Sequence, residues 1–274
     1  MPACGVTEKC TSLGAFVSKI VFEHMEPKDI ERRSMEIIRS ELKERNVKLD
    51  PVEAPIIERC IHTSADFDYF ENLVFSSHAV ERMRAALGAG AVIVTDTEMA
   101  KAGISKATLA RYDGKVRCFM SDEEVAAEAR KKGVTRATIS MIHAARLARH
   151  LPKIKYSLET HDADAIRDRT AQSQGGHREA DQTVSNIIFA VGNAPTALIE
   201  LERLIREESL RPAGIIAVPV GFVNVVEAKE LIWNLTIGDD SVDIPMIVAR
   251  GRKGGSNVAA AIVNALLYGI DADR

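Results

Sequence analysis

Paired cysteines, aromatic residues, surplus charge and long apolar runs are all scarce in this chain, and each scarcity excludes something. The four cysteines among 274 residues are Cys4, Cys10, Cys60 and Cys118. None stands in a Cys-x-x-Cys spacing, which argues against a zinc knuckle or a redox pair. Reduced thiols in a cytoplasm are the expected state. Aromatics make up 5% of the chain and the formal net charge is −3. Neither the basic surface nor the stacking platforms of a nucleic-acid binder are therefore expected. No apolar segment approaches the roughly 18 residues that a membrane span needs. Residues 1–19 carry an apolar patch at Leu13, Phe16 and Val17, without a basic start leading into a continuous apolar core, so they do not read as a signal peptide.

What the chain does have is a repeated grammar of apolar run, glycine- or proline-rich turn, and helical pattern. Ile187–Val191 leads into Gly192-Asn193-Ala194-Pro195-Thr196, Gly214–Val218 into Pro219-Val220-Gly221-Phe222, and Pro245–Ala249 into residues 250–256. An earlier copy runs Ala91–Val94 into Thr95-Asp96. Short β-branched runs without polar alternation suit strands buried on both faces, and intervening helices make the sheet parallel. In such α/β sheets the loops after the strand C-termini line the ligand crevice. These four turns contain no histidine and no cysteine.

The remaining pattern divides the chain into an extension, residues 1–26, and one α/β domain, residues 27–274. Pro27 opens a helix whose Ile30, Ser34, Ile37, Ile38, Glu41 and Leu42 follow a 3.6-residue rhythm. A short helix is expected over Val52–Ile61, and another ending at Leu87, capped by Ser76 or Ser77 and stopped by Gly88 and Gly90. Val116–Phe119 reads as a strand. Ser121 with Glu124 has the form of a capping box for a helix ending at Gly133, and Thr138–Leu151 reads as a further helix. The polar stretch 160–182 reads as an exposed insertion. Its His161, Asp162, Asp164 and His177 lack the rigid frame that a metal site needs, so no metal is expected.

Several residues are candidates for chemistry, each with a plainer alternative. The turn Arg250–Ser256 lacks the spacing of a phosphate loop and of a dinucleotide fingerprint. Its glycine-freed amides at a helix start, with Arg250, Arg252 and Lys253, would still suit a carboxylate or phosphate; the alternative is a solvated basic turn. Asn193 and Thr196 sit where side chains either cap a helix or meet a ligand, and Asp96 has the same two readings. Among seven histidines, His24, His78, His143 and His150 read as extension or surface residues. His62 differs because Arg59 lies one helical turn before it and Thr63, Ser64 and Asp66 follow. A capping histidine at a helix C-terminus is the alternative there.

At these residues the chain resembles the precorrin-8X methylmutase family of corrin biosynthesis, over about residues 27–267. The resemblance rests on Ile-Glu-x-x-Ser (Ile30, Glu31, Ser34), Arg-x-x-His (Arg59, His62), Asn-Leu-Val-Phe-Ser at 72–76, and Thr-Asp-x-x-Met at 95–99. Thr135-Arg136, VGNAPTAL at 191–198, PVGFVNVVEAKE at 219–230 and RGRKGGS at 250–256 extend it. It implies a flavodoxin-like three-layer α/β fold, a homodimer, and an isomerase that moves the ring C methyl group from C-11 to C-12 to give a cobyrinate-type corrin. It places His62 as the proton donor and acceptor, and Ser34 and Arg59 at substrate-binding positions. His-Thr-Ser-Ala-Asp-Phe resembles the cobalt-early branch, which favours cobalt-precorrin-8 as substrate. Residues 1–26 and 160–182 depart from the family's pattern.

A flat macrocycle ringed by acetate and propionate arms suits a crevice along several strand ends. Backbone amides with Arg250, Arg252 or Lys253, and Arg59 and Arg136 beside them, would hold its carboxylates. Such a shift needs no cofactor, and any cobalt arrives inside the substrate. Two rivals remain: a nucleotide-dependent doubly wound protein, which the missing fingerprints disfavour, and a non-catalytic corrinoid carrier using the same crevice.

Overall fold

The computed structural model describes residues 26–155, 183–236 and 243–272. The extension and the 160–182 stretch, with its histidines, therefore lie outside the described residues, apart from Glu26. Among the described residues seven strands form one sheet. Five of them are parallel and adjacent in the order β3 (Lys115–Cys118), β2 (Val92–Thr95), β5 (Thr183–Val191), β6 (Pro212–Ala217) and β7 (Met246–Ala249). Two short antiparallel strands complete it: β1 (Leu73–Phe75) covers the β7 edge and β4 (Lys153–Lys155) pairs with the start of β5. The chain thus builds an α/β domain on a mixed, mostly parallel sheet, as the apolar runs imply.

Those runs are continuous because each strand feeds two cores. Ile93, Ile188, Ile216 and Ile247 face one side, and their neighbours Val94, Phe189, Ile215 and Val248 face the other. The first face packs under α1 (Pro27–Glu44), α2 (Ala54–Ser64), α3 (Tyr69–Asn72), α4 (Ala79–Gly88), α5 (Glu98–Gly103), α6 (Lys106–Ala110) and α11 (Ser256–Ala272). The second packs under α7 (Glu123–Lys132), α8 (Arg136–Ala148), α9 (Pro195–Glu207) and α10 (Val225–Trp233). Side chains alternate across a strand, so a central strand covered on both faces has no solvent side to make polar.

Local signals mislead at several helix starts. Ser76 does not cap α4: its hydroxyl accepts from Met246 N–H at 2.8 Å and its own N–H donates to Met246 C=O, prolonging the β1–β7 pairing. His78, in the left-handed region at φ 53°, precedes α4 instead. Ser121 forms no capping box, because α7 starts one residue later, after Asp122, without a side-chain cap. Thr135 caps α8, so that helix begins before Thr138 and ends at Ala148. His143 is not a solvent-facing residue; its Nε2 pairs with Glu128 at 2.8 Å and its ring meets Phe119 edge-on. Residues β1, α5 and α6 were too short to carry a periodic signal.

Candidate active site

The order of the parallel strands reverses between β2 and β5, and at such a point two neighbouring loops part to leave a crevice. Asp96 follows β2 there and is fully buried. Its carboxylate accepts from the N–H groups of Gly192, Asn193 and Ala194 at 2.7–2.8 Å. Burial pushes its pKa up, and those amide bonds partly oppose the shift. Asp96 does not cap the helix that follows it, where Thr97 does so. Both its oxygens hold the loop from β5 to α9, itself one of the loops expected to meet substrate.

That loop packs hard against the start of α11. A Cβ on Gly192 would lie 2.7 Å from Ser256 Cα, and Thr97 Oγ1 meets Ser256 Oγ at 2.7 Å. Asn193 is exposed at the crest of the loop and forms no side-chain cap, since α9 starts after Ala194. Thr196 is half-buried and its hydroxyl meets Thr135 Oγ1 at 2.9 Å. The next residue after Thr135 is Arg136, exposed at the first position of α8. Asn193, Thr196 and Arg136 thus share the rim formed by the starts of α8 and α9.

The basic turn 250–256 is tied down on every side. Arg250 Nε donates to Glu230 Oε1 at 2.9 Å, and this carboxylate raises the guanidinium pKa further. Lys253 Nζ bridges Asp66 at 2.7 Å and Asp68 at 2.5 Å. The ammonium holds the Asp66 carboxyl below its usual range, and the two acids push the Lys253 pKa up. Among the described residues Arg252 has no carboxylate partner; its guanidinium lies over the Phe222 ring. Arg136 has none either. Of the cations expected to meet substrate carboxylates, Arg250, Lys253 and, through Glu31, Arg59 are already paired with carboxylates.

His62 is exposed in the last turn of α2, which ends where Ala65 adopts φ 54°. This left-handed alanine turns the chain into Asp66 and Asp68, and so toward Lys253. Unfavourable backbone of this kind persists where surrounding contacts over-determine it. One turn before His62, Arg59 Nη1 donates to Glu31 on α1 at 2.5 Å and its guanidinium lies over Tyr268 of α11. Ser34, one turn after Glu31 on α1, donates its hydroxyl to Ile30 C=O at 3.0 Å. Ser34, Arg59 and His62 therefore belong to one helical corner, and the Lys253 bridge attaches that corner to the basic turn.

Sequence reasoning passed over Glu31, Asp68, Glu230 and Lys229, which do the tying. Lys229 had a signal: it falls between Val225, Ala228 and Ile232 on the buried stripe of α10. A cavity of about 340 Å³ lined by Arg39, Leu42, Lys43, Val47, Leu49 and Glu58 lies elsewhere, and none of the predicted site residues lines it. Among the described residues no cluster of His, Cys, Asp or Glu has metal-binding form, and no helix is long and apolar enough to cross a membrane.

The mostly parallel sheet with helices on both faces and a basic, glycine-rich turn at a strand end defines an α/β protein of the open-sheet class. The family is narrower. The precorrin-8X methylmutase model matches residues 29–154 and 142–269, and the chain belongs to that family. It is 36% identical over 246 residues to the cobalt-precorrin-8 methylmutase of Salmonella typhimurium, covering 89% of this chain and 95% of that one. It is 31% identical to the precorrin-8X methylmutase of Pseudomonas aeruginosa, covering 86% and 93%. The solved precorrin-8X methylmutase of Thermus thermophilus superposes with a TM-score of 0.68 at 29% identity, covering 89% and 98%.

Proposed function

We propose that the protein is a corrin-biosynthesis isomerase that moves the ring C methyl group from C-11 to C-12 of cobalt-precorrin-8, giving a cobyrinate-type corrin. One observation carries the reading beyond family membership. The loop that follows His62 is bound through Asp66 and Asp68 to Lys253, so the acid/base candidate and the basic turn form one unit. A macrocycle lying on that turn would present its edge to the imidazole.

The reaction is an isomerisation. The C-11–methyl bond breaks as the C-12–methyl bond forms, through the conjugated system and at constant mass. His62 places a proton on the macrocycle near the migration, which polarises the system, and takes it back afterwards, so no proton is gained or lost overall. General acid–base help of this kind contributes about a hundred- to ten-thousand-fold. The shift is redox-neutral, which removes the need for a redox cofactor, and cobalt enters as part of the substrate. The exposed guanidiniums of Arg136 and Arg252 are the first choice for substrate carboxylates, with the side chains of Asn193 and Thr196 and the Ser34–Arg59 pair beside them. Arg250 and Lys253 would contribute after exchanging Glu230 or Asp66 and Asp68 for a substrate arm.

The strand sequence β3-β2-β5-β6-β7 supports a flavodoxin-like arrangement, since in chain order it reads 2-1-3-4-5. We further infer a cytoplasmic homodimer. Phe222 and Val223, 82% and 76% exposed on the loop before α10, support a second copy there.

Incubation with cobalt-precorrin-8 tests the reading: the visible spectrum should change while the mass does not. His62→Ala should lower turnover by about a hundred- to ten-thousand-fold while corrinoid binding stays within about twofold. An unchanged spectrum with folded wild-type protein, or an undiminished rate in the variant, would sink it. Binding without any turnover by the wild type would instead favour the carrier.

A further inference from the structure

Lys229 is fully buried, yet among the described residues no carboxylate forms an ion pair with it: its neighbour Glu230 is engaged by Arg250. Its Nζ donates to Gly251 C=O and to Lys253 C=O, each at 2.8 Å. The carbonyl between them, on Arg252, accepts from Gly221 N–H at 3.2 Å. Three successive carbonyls of the basic turn are thus occupied, two by the buried ammonium and one by an amide of the neighbouring turn. Among the described residues, no acceptor is paired with the N–H groups of Gly251, Arg252, Lys253 or Gly254. A backbone segment whose carbonyls are all occupied leaves its amides for an anion, because free carbonyl oxygens near a carboxylate would repel it.

We propose that Lys229 is a positioning residue that turns the carbonyl dipoles of residues 251 and 253 away from the crevice and so makes the basic turn receptive to a substrate carboxylate. The inference rests on reading the crevice as a cradle for a polycarboxylate ring. Stability alone does not account for this ammonium. Methionine has a similar length and would fill the same space beside Ala228 and Ile232 without the cost of desolvating a charge. That cost is visible in the Lys229 pKa, which burial lowers to about 8. A glycine-rich turn gains most from such an internal clamp, since glycine backbone, here at φ +75° for Gly251 and +158° for Gly254, has many alternatives to give up on folding.

The test compares wild type and Lys229→Met in visible titrations with a cobyrinate-type corrin bearing free carboxylates, and with the same corrin carrying amides in their place. The wild type should prefer the carboxylate form. The variant should lose about tenfold or more of that affinity, the scale of one charge-assisted hydrogen bond, with little change toward the amide form. With cobalt-precorrin-8, KM should rise far more than kcat falls. Equal preference in both proteins, equal loss for both corrins, or a fall confined to kcat would overturn the proposal. Should Lys229→Met not fold, hydrogen exchange on the wild type decides: the corrin should slow exchange at residues 251–254, and unchanged exchange there overturns it. A wild type that binds without turnover would defeat the isomerase reading and leave the corrin comparison to judge Lys229.

Discussion

Asp96 illustrates how a single buried carboxylate governs a loop it does not belong to. Its two oxygens take three N–H groups from residues 192–194. Asp96→Asn leaves one acceptor oxygen and brings in an N–H₂ facing donors, so it should cost about 1–3 kcal/mol, measurable by denaturant unfolding. The pH dependence has a definite sign. With its folded pKa above the ordinary 3.8, the native state holds the proton more tightly than the unfolded chain. Asp96's contribution is therefore largest below pH about 3.8 and falls as pH rises through the folded pKa. In the asparagine variant that part of the decline should vanish; an identical pH–stability profile would refute the assignment. Sequence position placed Asp96 at a strand end and no more, because the amides it binds lie almost a hundred residues away. His62 and Arg59 were legible by contrast, since an i, i+3 pair is a local relation. Arg59's partners Glu31 and Tyr268 were not, being brought to it only by packing α1 and α11 against α2.

At the scale of elements, the turn between β7 and α11 is determined by close approach. A Cβ on Gly254 would fall 2.1 Å from Val218 C=O, at a φ of +158°. Gly254→Ala should therefore destabilise the protein by about 2 kcal/mol or more, or displace the turn. Calorimetric melting should register the first and corrinoid titration the second. A variant with unaltered melting and binding would show that the turn is not pinned at this point. Strands β2, β5, β6 and β7 were legible because runs covered on both faces need no polar alternation. The edge strands β1 and β4 were not, since three residues carry no period. Ser76 shows the limit of capping rules: the same hydroxyl serves a helix start or a strand edge, and the approach of β7 decides which.

For the whole molecule, a net charge of −3 means that a polyanionic ligand must be drawn by local rather than overall charge. Cradle binding should then weaken with salt: between about 50 and 500 mM the screening length falls severalfold, and KM should rise severalfold while kcat changes little. A KM indifferent to salt would argue for an apolar binding mode. Light scattering should give a particle of twice the 29.9 kDa chain mass, and a monomer at working concentration would remove the inferred homodimer.

Composition, periodicity and motif order by themselves determined the α/β class, the parallel strands, the basic glycine-rich turn and the Arg59–His62 pair, because each is written in residues close together along the chain. Tertiary structure alone decided which cations are already neutralised, that Asp96 faces inward, and that Lys229 lies beneath the turn. Those outcomes depend on which distant groups packing brings within hydrogen-bonding reach. The same packing joins the histidine's corner to the turn through Lys253, bringing together segments some 190 residues apart in sequence.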